Sequence, residues 1–184
     1  MKKGFIFDLD GNVVESLHPH PEVKATTYGW TFDVSDKYLA VGNPRDAENG
    51  TSNGAVYVYE RIDGNWVYKR KIMENLHPDA SLRRYQTSMY FGASVIIDGE
   101  HLILGSEHYH LPINIRTVLR ARGSLYLYTV GGKLVQEILA SDATAGDHYG
   151  SATALSGDTL VVGAYGHDGA GNMSGAAYTF TRST

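Results

Sequence analysis

Cysteine is absent from the 184 residues, so neither a disulfide framework nor a thiolate metal site can hold this chain together. Charge of one sign is also lacking. A formal net charge of −4 is too small to point to a nucleic-acid partner or an anionic membrane surface. No apolar run reaches the roughly 18 residues of a membrane-spanning helix, so membrane insertion is not expected. The opening Met1-Lys2-Lys3 is followed by Gly4-Phe5-Ile6-Phe7, but charge returns at Asp8 and Asp10. That stretch is shorter than the ~7–15 apolar residues of a secretory signal, and export by the usual signal route is not expected. Helical periodicity is almost missing throughout.

Glycine (21 residues) and tyrosine (13 residues) are abundant instead. Glycine supplies turns and tyrosine suits half-buried strands. The glycines keep time: Gly29 to Gly42, Gly92 to Gly105 and Gly150 to Gly163 are each 13 residues apart, and an aromatic residue (Tyr28, Phe91, Tyr149) precedes the first of each pair. Between the paired glycines lie two β-rich runs joined by a tight turn: Trp30–Val34 and Tyr38–Val41, Ala93–Ile97 and His101–Leu104, Ala152–Leu155 and Thr159–Val162. Short Gly- or Asp-containing turns between such runs predict hairpins. A third strand follows in each copy, from Gly54, Gly123 and Gly175, and a fourth in two, at Trp66–Tyr68 and Leu134–Ile138. The third strand begins 12 residues after the second glycine in the outer copies and 18 after it in the middle one. The chain opens on the same third-and-fourth pair, Gly4–Phe7 and Val13–Leu17, around Asp10-Gly11. One small four-stranded sheet cannot bury both faces, whereas a stack of them can.

The pattern resembles the FG-GAP repeat family. The residues that carry the likeness are Phe91-Gly92, with Tyr28-Gly29 and Tyr149-Gly150 in the other copies, and Gly163-Ala164-Tyr165, which loosens to Gly42-Asn43-Pro44 and Gly105-Ser106-Glu107. The resemblance implies an all-β, β-propeller-like fold and roles in adhesion, ligand binding or scaffolding. On this reading residues 1–28 form a partial blade, 29–91 and 92–149 full blades, and 150–184 an incomplete one. About three four-stranded blades per chain fall short of the 4–8 of closed propellers, so closure by a homo-oligomer, most simply a dimer, is expected. The expected function is a non-catalytic structural or adhesive module, with a phage or virus particle or an extracellular surface as its setting. A carbohydrate-binding lectin is the alternative and an enzyme the third reading. Other structural proteins or glycans are the expected further partners; no cofactor is expected.

Phe5-Ile6-Phe7-Asp8-Leu9-Asp10-Gly11-Asn12 also resembles the nucleophile motif of haloacid-dehalogenase-type phosphatases. Asn12 stands where that family has Thr, and the family needs helices that this sequence does not predict, so the segment reads as strand–turn–strand and no catalytic residue is assigned. Some FG-GAP propellers, integrins among them, bind calcium between first and second strands. Here those connections are short hairpins with too few ligands. Asp46, Glu48 and Asp168 lie in longer loops where an ion could sit, but no metal ligand is assigned. The histidine pairs His18/His20 and His108/His110 are read as surface or interface residues. The loop Ser106–Arg122 departs most from the repeat. His108, Tyr109, His110, Arg116, Arg120 and Arg122 are therefore the candidate binding residues, either for a ligand or for a subunit contact. Gly29, Gly42, Gly92, Gly105, Gly150 and Gly163 are the structural residues of the repeat.

Overall fold

The computed structural model describes residues 4–7, 9–17, 27–48, 52–74, 89–108, 111–112, 118–119, 122–169 and 171–182. Among these there is no helix; the chain is all-β. The opening segment forms a hairpin of β1 (Gly4–Phe7) and β2 (Val13–Leu17), turning at Asp10-Gly11 as the sequence predicts. Sheet I contains β3 (Thr31–Val34), β4 (Tyr38–Asn43), β5 (Ala55–Ile62) and β6 (Asn65–Ile72) in that order. Sheet II contains β7 (Phe91–Asp98), β8 (His101–Ser106), β11 (Ser124–Thr129) and β12 (Leu134–Ile138). Sheet III holds β13 (Tyr149–Ser156), β14 (Thr159–Ala164) and β15 (Ala176–Thr181). Every neighbouring pair is antiparallel and sequential in the repeat.

Two details differ from the expectation. The strand read at Trp66–Tyr68 runs on to Ile72, because Lys69 and Lys71 place their ammonium groups on Glu60 and Asp46 rather than breaking the strand. The segment Ser106–Arg122, read as loop, carries a short ribbon of β9 (Leu111–Pro112) and β10 (Val118–Leu119). Two-residue strands are too short to leave a periodic signal.

Side chains alternate across each strand, and the two faces feed different cores. On β4, Tyr38 and Ala40 join Val56, Val58 and Ile72 of sheet I and Phe91, Val95, Leu102, Leu104 and Tyr126 of sheet II in one core. The opposite parity, Leu39 and Val41, packs with Tyr57, Tyr59 and Leu17 of the hairpin. Likewise Ile103 and Leu125 of sheet II turn to Tyr149, Leu160 and Val162 of sheet III. Successive sheets are therefore packed face to face in chain order.

Two devices lock that packing. The first strand of each later sheet docks on the sheet before it through a main-chain bond: the Phe91 N–H donates to Asn53 O at 2.9 Å and the Tyr149 N–H to Arg122 O at 3.1 Å. The glycine after each aromatic (Gly92, φ +85°; Gly150, φ +86°) is left-handed, which aims its carbonyl at the preceding sheet. There Thr31 Oγ1 donates to Gly92 O and Ser94 Oγ to Gly150 O, both at 2.9 Å. The carbonyls also press on Gly42 and Gly105, where an added Cβ would overlap them outright. Each contact thus joins the second glycine of one pair to the first glycine of the next, Gly42 to Gly92 and Gly105 to Gly150, while the 13-residue spacing within a pair spans the first hairpin of a sheet.

Candidate functional site

The aromatic-glycine turn and the connection after each second strand meet at the same end of the sheets. Tyr90 and His148 each occupy the position before the aromatic residue, and both adopt left-handed backbone (φ 57° and 55°). Non-glycine residues adopt that region at a cost of roughly 1 kcal/mol or more. The connections are stitched to these turns by His108 N–H to Met89 O (3.1 Å) and Gly166 N–H to Asp147 O (3.1 Å).

The consequence is a ladder of rings running from sheet II to sheet III. Tyr90 and His108 stack at 4.3 Å between centroids and 30°. His108 meets His148 at 4.7 Å, and His148 lies on Tyr165 at 4.6 Å and 11°. At the near end the Arg45 guanidinium stands 5.4 Å from the Tyr90 ring. Tyr165, at the far end, is 49 % exposed. Burial holds the His148 imidazole below the usual histidine range, against the pull of its bond to the Glu107 backbone, so it is the neutral ring that stacks on Tyr165 at pH 7. Burial likewise raises the Glu107 carboxyl, whose Oε1 lies 4.0 Å from His108 Nε2. Beside the ladder a cleft of about 130 Å³ is lined by Thr27, Trp30, Pro44, Arg45, Tyr90 and Glu107.

Of the residues proposed from sequence, His108 belongs to this ladder. Arg122 does not: it is buried at the sheet II–III junction, with its carbonyl accepting from Tyr149 and its guanidinium 4.0 Å from Glu137. Tyr109, His110, Arg116 and Arg120 lie outside the described residues, as do Asp8, His18 and His20. Arg45, Tyr90, His148 and Tyr165 were missed. Their signal was positional, since each stands just before an aromatic-glycine pair or just after a second strand.

The acidic loop read as a possible ion site is used internally. Asp46 is buried, and its oxygens accept from Lys71 Nζ (2.7 Å), Tyr57 Oη (2.5 Å), Asn43 Nδ2 (3.1 Å) and the Glu48 N–H (3.2 Å). Glu48 shares Lys71 at 2.5 Å. No group of three or more potential metal ligands occurs among the described residues. In the corresponding end of sheet III, Asp147 is held by the Thr144 N–H (2.6 Å) and hydroxyl (2.8 Å), with His167 Nδ1 at 3.3 Å. Burial opposes ionisation of Asp147, but these donors outweigh it and hold the carboxyl below its usual range.

The FG-GAP repeat model matches residues 22–59 and 133–180. These two stretches are FG-GAP repeats. The two matched stretches include the turns that precede β3 and β13, and thus contain Arg45, His148 and Tyr165. No protein of curated function matches the sequence.

Proposed function

We propose that this FG-GAP chain is a non-catalytic binding module, structural or adhesive in role, that engages its partner through the ring ladder Tyr90–His108–His148–Tyr165. The observation that carries this reading is the ladder itself. Four rings lie in series on short, cross-stitched connections, two of them at strained backbone positions, with stacked contacts at both ends and a tilted one where they cross the junction of sheets II and III. Aromatic rings fixed in this way offer large contact area at little entropy cost, the property of interface anchors. The Asp147–His167–Thr144 group supports a non-catalytic reading. The threonine hydroxyl donates to the carboxylate rather than to the imidazole, which makes the group a clasp between two loops. A place on a phage or virus particle is the setting in which a module of this kind would act as a structural component.

The cleft between Trp30 and Tyr90 favours a second reading, that of a lectin. Two aromatic walls with a guanidinium and a carboxyl suit the apolar face and hydroxyls of a sugar ring. A glycan array probed with the full chain, the Tyr165→Ala variant and the Trp30→Ala variant separates the two. Glycan binding lost in Trp30→Ala makes the chain a lectin. No glycan binding, together with recovery of the chain in purified particles and its loss from them in Tyr165→Ala, fits the structural module. Binding and recovery both indifferent to Tyr165→Ala would remove the ladder from the function.

A further inference from the structure

The face by which sheet II packs on sheet I recurs, in register, on the other side of sheet I. In sheet II, Val95 pairs with Leu104 and Ile97 with Leu102. In sheet I the same places are Phe32 paired with Val41 and Val34 paired with Leu39. Val95 is 7 % exposed, whereas Phe32 and Val34 are 69 % and 56 % exposed. The β1–β2 hairpin accounts for the difference. It packs Leu17 and Ile6 against the Tyr57, Tyr59 and Trp66 half of sheet I and leaves a groove of about 580 Å³ beneath β3 and β4. In the packed junctions, a first strand lies across the first three strands of the sheet before it. Among the described residues that precede β3, only the last two strands of such a sheet are present, as β1 and β2.

Sheet III carries the matching half. Its outward face repeats the faces on which sheets II and III dock. Gly163 stands where Gly42 and Gly105 receive a carbonyl, and Ala152 where Thr31 and Ser94 supply the hydroxyl. A Cβ at Gly163 would meet nothing nearer than 3.6 Å, so the space that a docking carbonyl fills in the other two sheets is open here. Ala154, Val161 and Ala177 complete a flat face of small side chains, suited to the bulkier Phe32 and Val34. Sheet III has three strands with β15 at its edge, and the hairpin offers the fourth.

We propose that the groove under β3 is filled by sheet III of a second copy of this chain. The incoming β13 and β14 lie beneath β3 and β4. The incoming β15 takes the place of β1 beside β2, so that β2 becomes the fourth strand of a composite sheet. Gly29, whose φ of +86° equals that of Gly150, aims its carbonyl at Gly163 of the second copy. With sheets I, II and III from each chain, two copies docked reciprocally close a ring of six, within the 4–8 of known propellers. The contact joins unlike faces, so its two halves can be broken separately.

Light scattering on the full chain at micromolar concentration tests this. The expected mass is that of two chains. Ala154→Arg on sheet III and Phe32→Asp in the groove should each give the mass of one chain, with an unchanged circular dichroism spectrum. An equimolar mixture of the two should regain a two-chain species, because each variant retains one intact face. Ala152→Ser restores the missing hydroxyl and should tighten the dimer several-fold. A wild-type mass of one chain, variants that stay at two chains, a mixture that fails to re-associate, species that grow with concentration, or an Ala152→Ser variant with unchanged affinity would each overturn the proposal.

Discussion

Gly105 and Gly163 occupy the same place in two copies of one repeat, yet their surroundings differ. At Gly105 the carbonyl of Gly150 sits where a side chain would begin; at Gly163 there is ordinary van der Waals space. Ser94 and Ala152 differ in the same way: the first donates to a carbonyl of the following sheet, and the second stands on an open face. The local fold of the two sheets does not depend on these positions, since both form the same antiparallel pairs. The contrast therefore separates what makes a sheet from what joins one sheet to the next. Alternating apolar residues and tight turns make the sheet. The glycine pair and its hydroxyl make the joint.

The largest effect is expected at the joint. Gly105→Ala should destabilise the chain by about 3 kcal/mol, because neither the added methyl nor the main-chain carbonyl can move without opening the sheet II–III junction. Gly163→Ala should stay within about 1 kcal/mol in dilute, single-chain solution. Denaturant unfolding of both variants measures the difference.

Next comes the ion pair that closes the sheet I loop. Lys71→Ala leaves the buried Asp46 carboxylate without its cation and should cost about 3 kcal/mol. Lys71→Met, which keeps the packing and loses the charge, should cost nearly as much. A loss confined to the alanine variant would assign the effect to packing.

A pH effect of similar or smaller size belongs to the junction of sheets I and II. Glu74 is half-buried. Its carboxyl accepts from Tyr126 Oη at 2.8 Å and Ser106 Oγ at 3.1 Å. Burial raises it from 4.5 to about 8, against the pull of those two donors. The folded state therefore retains a proton that the unfolded chain releases. This term favours neither state below pH 4.5, falls progressively as pH rises from 4.5 to 8, and is constant above 8. It amounts to roughly 3 kcal/mol lost by pH 7. Glu74→Gln should flatten stability across that window. A wild-type profile that is already flat between pH 5 and 8 would show that the carboxyl is ionised in the folded protein.

These positions also mark how far the sequence could be read. The hairpin at Asp10-Gly11, the turns after Val34, Ile97 and Leu155 and the 13-residue glycine spacing are local signals. They were legible because turn chemistry and period 2 act over a few residues. Lys71 and Asp46 meet across 25 positions with no motif between them. Glu74 sits on an aperiodic connection, where no pattern announces burial. The ring ladder depends on which loop ends coincide once sheets are stacked, a register set by the joint and not by any one loop. Arg122 was misread because a basic residue at the end of a long insertion looks solvent-directed, whereas the position before Gly123 is the one that accepts the Tyr149 N–H.

The smallest expected effect offers a fine calibration. Ser94→Ala removes one hydrogen bond to Gly150 O and should cost about 1 kcal/mol, while Ala152→Ser leaves single-chain stability unchanged. Equal responses at the two positions would erase the distinction between a closed and an open joint.

Amide hydrogen exchange of the full chain tests the joint most directly. The N–H groups of Phe91 and Tyr149 lie at the start of their strands and bond only across a sheet junction, to Asn53 O and Arg122 O. Their protection therefore reports the joint itself. Both amides should exchange as slowly as the central amides of β8, and Tyr149 should lose that protection in Gly105→Ala while Phe91 keeps it. Fast exchange of both in the wild type, or loss at both in the variant, would contradict sheets joined one at a time by their glycine pairs.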